Sequence, residues 1–241
     1  MSDIAVVTGA SGGIGAAIAK IIHVKSEGQL KVCIHYNGNK AAAQALSNEI
    51  PDSFIVQANL STAEGRKALL EAVLAKGNPF CLVNNAGIDK PHEPALMVSE
   101  EGFDKLISTN LKAPLFLMRD FAKEMARNES GVIVNISSVL ARKAVIGSAI
   151  YRASKAAIEA LTMQFASELG PKGIRVIAIA PGFIETAMTA EIPDEQRAGI
   201  KKDVSLGNFG SPDAIAETVW HAIENQYLTG AVIAVDGGMA L

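Results

Sequence analysis

Cysteine is scarce. Two among 241 residues cannot form a disulfide framework, and both lie in apolar runs, KVCIHY and PFCLVN, that read as buried strands. The four histidines, His23, His35, His92 and His221, are scattered without HExxH spacing, and no CxxC occurs, so no metal site is expected. Aromatic residues make up only 5% of the chain. Neither charge dominates: 22 basic and 25 acidic side chains leave a formal net charge of -3, which gives no footprint for nucleic acid. Every apolar run is interrupted well short of the roughly 18 residues of a membrane span. The opening MSDIAVVTGA lacks a basic leader region and enters strand-like sequence at once. The expectation is a soluble cytoplasmic protein with no membrane or nucleic-acid partner.

What the chain has instead is apolar content. Hydrophobic residues make up 49% and glycines number 21, which excludes disorder. The mean hydropathy of +0.24 is high for a soluble chain so poor in aromatics. At this length roughly 70–75% of the unfolded surface is expected to be buried in one large α/β domain. Short β-branched runs at 3–7, 31–36, 53–57, 80–83, 131–136, 174–179 and 231–235 alternate with helical stretches at 14–26, 39–49, 62–75, 100–127, 150–169 and 212–224. That alternation predicts a single doubly wound, Rossmann-type domain over 1–241, with a seven-stranded parallel sheet covered by helices on both faces. The least regular stretch is 181–211, and an insertion around 183–209 is a candidate substrate lid.

The run Thr8-Gly9-Ala10-Ser11-Gly12-Gly13-Ile14-Gly15 follows the first strand and opens the first helix. Glycines there permit a tight turn and let backbone N–H groups approach a pyrophosphate at the helix N-terminus. No Gly-Lys-Ser/Thr follows, so it is not a P-loop. The second strand ends in His35-Tyr36-Asn37-Gly38-Asn39-Lys40, with no carboxylate to receive the adenosine ribose hydroxyls. Tyr36, Asn37, Asn39 and Lys40 could surround a 2′-phosphate, which favours NADP and leaves NAD possible. Tyr151 and Lys155 stand four residues apart at the start of a helical stretch, on one helical face. A cation near a phenol favours the phenolate and brings its pKa toward the range of a general acid/base. Ser138 lies just past the fifth strand, at the sheet edge where open α/β folds bind ligands.

TGASGGIG (8–15), NNAG (84–87), Asn110, Ser138, YRASK (151–155), Pro181-Gly182 and Asp236-Gly237-Gly238 together resemble the short-chain dehydrogenase/reductase family over essentially the whole chain. Within it, APGFIETAMT (180–189), DEQRAGI (194–200) and YLTGAVIAVDGGM (227–239) look like the bacterial 3-oxoacyl-acyl-carrier-protein reductases. The resemblance implies roles. Tyr151 would protonate the carbonyl oxygen, Lys155 would lower the Tyr151 pKa and hold the nicotinamide ribose, Ser138 would orient the carbonyl, and Asn110 would hold a water in the proton relay. Gly9, Ser11, Gly13, Ile14 and Gly15 would meet the cofactor phosphates. Asn59 and Leu60 would lie by the adenine, Asn85, Ala86 and Gly87 by the ribose, and Pro181, Gly182, Ile184 and Thr186 by the nicotinamide.

The resemblance further implies an acyl-carrier-protein-linked or CoA-linked 3-oxoacyl substrate, a place in fatty-acid synthesis and a homotetramer. Arg127, Arg142, Lys143 and Lys172 are candidates to meet an acidic carrier, and His92 is a candidate to face the site. Apolar surface hidden between subunits, including Met118, Met125, Met163 and Met239, would account for the high mean hydropathy. Two other readings stay open: a dehydrogenase of another secondary alcohol, sugar or ketone, and a non-catalytic dinucleotide-binding scaffold.

Overall fold

The apolar runs form the strands of one parallel sheet: β1 (Asp3–Val7), β2 (Leu30–Tyr36), β3 (Phe54–Gln57), β4 (Asn78–Asn84), β5 (Gly131–Ile136), β6 (Ile174–Pro181) and β7 (Val232–Val235). They come from a computed structural model, which describes residues 2–241. The spatial order is β3-β2-β1-β4-β5-β6-β7. The strands are near-continuously apolar because helices cover both faces. On one face Ile18 and Ile22 of α1 (Gly13–Lys25) pack with Ile215 and Val219 of α9 (Pro212–Glu224) over Val7, Ile34 and Val134. On the other, Leu69 and Val73 of α3 (Ala63–Leu74) and Leu117 and Phe121 of α5 (Ala113–Met125) cover Val6, Leu82 and Ile133. The strand order reverses between β1 and β4, which opens a crevice at their carboxyl ends.

The remaining helices are α2 (Lys40–Glu49), α4 (Glu100–Ile107), α6 (Ala149–Leu169), α7 (Ala187–Ala190) and α8 (Asp194–Asp203). The single helix expected over 100–127 is two helices joined by a π-helical turn, Ser108–Lys112. Pro114, at the start of α5, has no N–H to return to the Asn110 carbonyl, where an unbroken α-helix would send it. The insertion at 183–209 is more regular than its composition suggests, since it carries α7 and α8. Its base is closed by a bridge between Ile184 and Gly210. None of the helices is long and apolar enough to cross a membrane, and no group of three or more metal-ligating side chains occurs among the described residues.

Met118, Met125 and Met239 lie inside the protomer, at 4% exposure or less, so they do not supply apolar surface for subunit contacts. Met163 is the exception, at 54%.

Candidate active site

The glycine loop is fastened from below by its neighbours. Thr8 Oγ donates to the Val83 carbonyl at 3.1 Å and accepts from the N–H groups of Asn85 and Ala86 at 2.9 and 3.0 Å. The Asn85 carboxamide returns bonds to the carbonyls of Thr8 and Gly9 at 2.9 and 3.2 Å. A Cβ at Gly15 would stand 2.5 Å from the Gly9 oxygen and 2.6 Å from Asn85 Nδ2. The loop and the Asn84-Asn85-Ala86-Gly87 segment are therefore one interlocked unit, closed only because those positions carry no side chain.

Above this unit lies a cleft of about 610 Å³. Gly9, Ser11, Gly13, Ile14, Gly15, Asn37, Asn85, Ala86, Gly87, Ser138, Tyr151, Lys155, Pro181, Gly182, Ile184 and Thr186 all line it, as does Asn39. Four of the expected cofactor residues do not, Lys40 among them, which stands exposed at the start of α2. Tyr36 is 3% exposed and turned to the opposite face of β2, into the core with Ala43, Leu46 and Ile50. Leu60 is buried beneath the sheet edge with Ala58 and Leu69. Asn59 turns its carboxamide oxygen onto Ser61, at the approach to α3. On β2 it is His35, one position earlier, that faces the cleft. Alternation along a strand decides this: adjacent residues point to opposite faces.

The reacting end is built from three elements. β5 delivers Ser137 and Ser138 at its carboxyl end, and the Ser138 hydroxyl accepts from the Leu140 N–H at 3.1 Å. The start of α6 presents Tyr151 and Lys155, with Nζ 5.6 Å from the centre of the tyrosine ring. The π-helical turn carries Asn110, 1% exposed, whose carboxamide spans Ile88 with bonds of 2.9 and 2.7 Å to its N–H and carbonyl. A Cβ added at Gly87 would touch both Asn110 Oδ1, at 3.3 Å, and Lys155 Nζ, at 3.8 Å. Asn110, Gly87 and Lys155 thus converge, although Asn110 itself lies behind the cleft wall.

Burial of its phenol pushes the Tyr151 pKa up to about 12, with the Ser138 hydroxyl working downward and the Asp89 carboxylate upward. Burial brings Lys155 down to about 8, while its ammonium donates to the Ile136 carbonyl at 2.8 Å. At neutral pH Tyr151 keeps its proton, and Lys155 sits within reach of proton exchange.

The rim is made differently. Lys90 pairs with Glu191 at 2.6 Å and Lys143 with Asp203 at 3.0 Å, each tying a loop beside the cleft to the insertion. Of the basic candidates, Arg142 faces Glu159 at 3.4 Å and Arg127 pairs with Glu124, while Lys172 lies in the turn before β6. Glu159 also accepts from Ser137 at 3.0 Å, so Arg142 braces the segment next to Ser138. His92 sits 3.4 Å from Asp89 on the rim and is 54% exposed along its side chain. His35, Thr8 and Ser137 were not anticipated as site residues; Thr8 had a signal, since it opens the glycine run.

Residues 3–197 match the sequence profile of the short chain dehydrogenases. The chain belongs to that family.

Among its relatives, a 3-oxoacyl-acyl-carrier-protein reductase of Staphylococcus aureus (strain Mu50) is 39% identical, over 99% of this chain and 98% of its own. The Rickettsia typhi reductase of the same name is 37% identical over 98% and 95%, and that of Staphylococcus epidermidis (strain RP62A) 37% over 99% of each. Family membership makes the chain an oxidoreductase that uses a nicotinamide dinucleotide. The site fits such a group: an interlocked glycine cradle opens at a helix N-terminus, and the cleft runs from Asn37 and Asn39 to Tyr151.

Proposed function

We propose that the protein reduces the 3-keto group of an acyl thioester carried on acyl carrier protein or CoA, with NADPH as reductant, in the cytoplasm. The observation that carries this reading is the 37–39% identity, over nearly the full length, to three reductases of that name, joined to a half-buried, protonated Tyr151 beside Ser138. The nicotinamide, when bound, supplies the hydride. The chain's own residues handle the oxygen. Ser138 Oγ orients the carbonyl, and Tyr151 gives its proton to the oxygen as negative charge develops there. Lys155 holds the nicotinamide ribose and returns a proton toward Tyr151 through the region framed by Asn110 and Gly87.

NADPH is favoured by the floor of the adenosine end. Asn37, Gly38 and Asn39 line it without a carboxylate. Asn39 caps α2 by accepting from the Ala42 N–H at 3.1 Å, and the first turn of that helix has no acidic residue. A helix N-terminus free of acids welcomes a phosphate, and Lys40 adds a positive charge. The insertion at 183–209 acts as the substrate lid, because Thr186, Ala187, Met188 and Thr189 roof the cleft.

We also infer a homotetramer, supported by apolar side chains left outward on two packed helices: Phe103 of α4 is 47% exposed and Met163 of α6 54%. Elution of the purified protein at the 25.2 kDa of one chain would overturn it.

The function is tested by assaying the purified protein on acetoacetyl-carrier and acetoacetyl-CoA, with NADPH and NADH in parallel. Turnover with NADPH on the thioesters is expected. No turnover on either, beside rapid reduction of a sugar or another simple ketone, would overturn the reading.

A further inference from the structure

We propose that His35 is a positioning residue for the dinucleotide: its neutral imidazole, protonated on Nε2, clamps the glycine loop in the shape that receives the cofactor phosphates. This inference rests on membership of the short chain dehydrogenases and is independent of the acyl-carrier reading.

His35 stands near the carboxyl end of β2, is 2% exposed, and lies under the loop it contacts. Its Nδ1 accepts from the Gly9 N–H at 3.0 Å. Its Nε2 faces the Ala58 carbonyl at 3.0 Å. A carbonyl oxygen can only accept and a backbone N–H can only donate, so the partners assign both ring nitrogens: Nε2 bears the proton and Nδ1 is bare. Burial holds the imidazole pKa below its ordinary 6.5, with the Ala58 bond acting in the opposite direction, which keeps the ring neutral. The backbone of the same residue takes a second donor, because its carbonyl accepts from the Ala10 N–H at 2.9 Å.

One residue therefore holds the first two N–H groups past Thr8. Gly9 needs this hold. It sits at φ +65°, and a Cβ there would stand 2.9 Å from Ala86 Cα, so the loop cannot anchor itself with a side chain at that point. With Asn85 gripping the carbonyls of Thr8 and Gly9 from one side, His35 grips the N–H of Gly9 from the other. The peptide plane is fixed at both ends. What remains for a ligand is the set of N–H groups opening α1, held at a constant distance from β4.

Two substitutions separate the two ring bonds. His35→Asn places a carbonyl oxygen about where Nδ1 stands and keeps an acceptor for Gly9, but reaches nothing at Ala58. His35→Gln places an amide donor about where Nε2 stands and keeps the Ala58 bond, but leaves the Gly9 N–H without an acceptor. NADPH binding is measured by fluorescence titration without a carbonyl substrate, NADH is titrated beside it, and kcat and the cofactor KM are taken with whichever carbonyl substrate the protein turns over. Affinity for the reduced dinucleotide is expected to weaken by about tenfold in His35→Gln and by less than about threefold in His35→Asn, with kcat at saturating cofactor within about twofold of the parent in both. A histidine that merely ties β2 to the 58–60 segment predicts the reverse order. Wild-type affinity in His35→Gln, or equal weakening in the two variants, would overturn the proposal.

Discussion

The two ends of the cleft are built by different means. The cofactor end is backbone held by backbone and by polar side chains: Thr8 and His35 are buried, Asn85 is half-buried, and glycines stand where a Cβ would collide. The substrate end is roofed by an insertion held down at its rim by exposed ion pairs, with Leu96, Met97, Ile146, Met188 and Leu206 open to solvent. Buried hydrogen bonds fix one geometry, because leaving one partner unpaired is costly. Exposed ion pairs contribute little and tolerate rearrangement. On the proposed reading, one end is a rigid receptor for a constant ligand, and the other an adjustable cover for a variable one.

The sharpest test of that division lies at the junction. Tyr151→Phe removes the proposed proton donor and leaves the glycine cradle untouched; a loss of at least about a thousandfold in kcat is expected, with NADPH affinity within about twofold. Binding and turnover falling together would show that the two ends are not separable. At the rigid end, Gly15→Ala drives a methyl group into the Gly9 oxygen and Asn85 Nδ2. Thermal and denaturant unfolding are expected to show a loss of about 1–3 kcal/mol, and NADPH KM to rise at least about tenfold. A silent Gly15→Ala would mean that the cradle yields as readily as the lid.

Lys155 gives a test of intermediate size. Its folded-state pKa of about 8 lies below the ordinary 10.5, so the unfolded chain binds the extra proton between those values, and stability contributed by this site rises with pH across that window. Lys155→Met is expected to be more stable than the parent below pH 8, by about 1–3 kcal/mol, and inactive; the gap should close toward pH 10.5. Parallel stability curves for the two proteins from pH 7 to 10 would contradict it. The smallest effect belongs to the rim. Lys90→Ala with Lys143→Ala should change stability by less than about 1 kcal/mol, alter the KM for the acyl substrate in a salt-dependent way, and leave NADPH affinity unchanged. A change in cofactor affinity would erase the contrast between the two ends.

The same contrast explains what could be read from the chain. The seven strands, their order of appearance and the glycine loop were legible, because apolar runs buried on two faces and turns that exclude a side chain leave strong local marks. The helical spacing of Tyr151 and Lys155 is a weak mark alone, and they were legible only in company with Asn110, Ser138 and the glycine run, as a set that resembles the family. Tyr36 and His35 were not separable by pattern, since which of two neighbours faces the cleft depends on a register only the folded sheet defines. The break at Asn110 was hidden inside a sequence of good helix formers, with Pro114 as its mark. The partners of Lys90 and Lys143 lie 101 and 60 residues away, beyond any local signal.

The bridge between Ile184 and Gly210 has a consequence for how such a protein changes over generations. Glu185 donates its N–H to the Gly210 carbonyl at 2.9 Å, so both ends of the insertion already meet on the sheet side. A segment whose ends are joined is a cassette: loop-closure entropy grows only slowly with length, and residues between the joined ends can be exchanged, added or removed without shifting β6 or β7. On the proposed reading, substrate range can then diversify by changing the cassette beyond Thr189, while Ile184 and Thr186, which line the cofactor cleft, stay as they are.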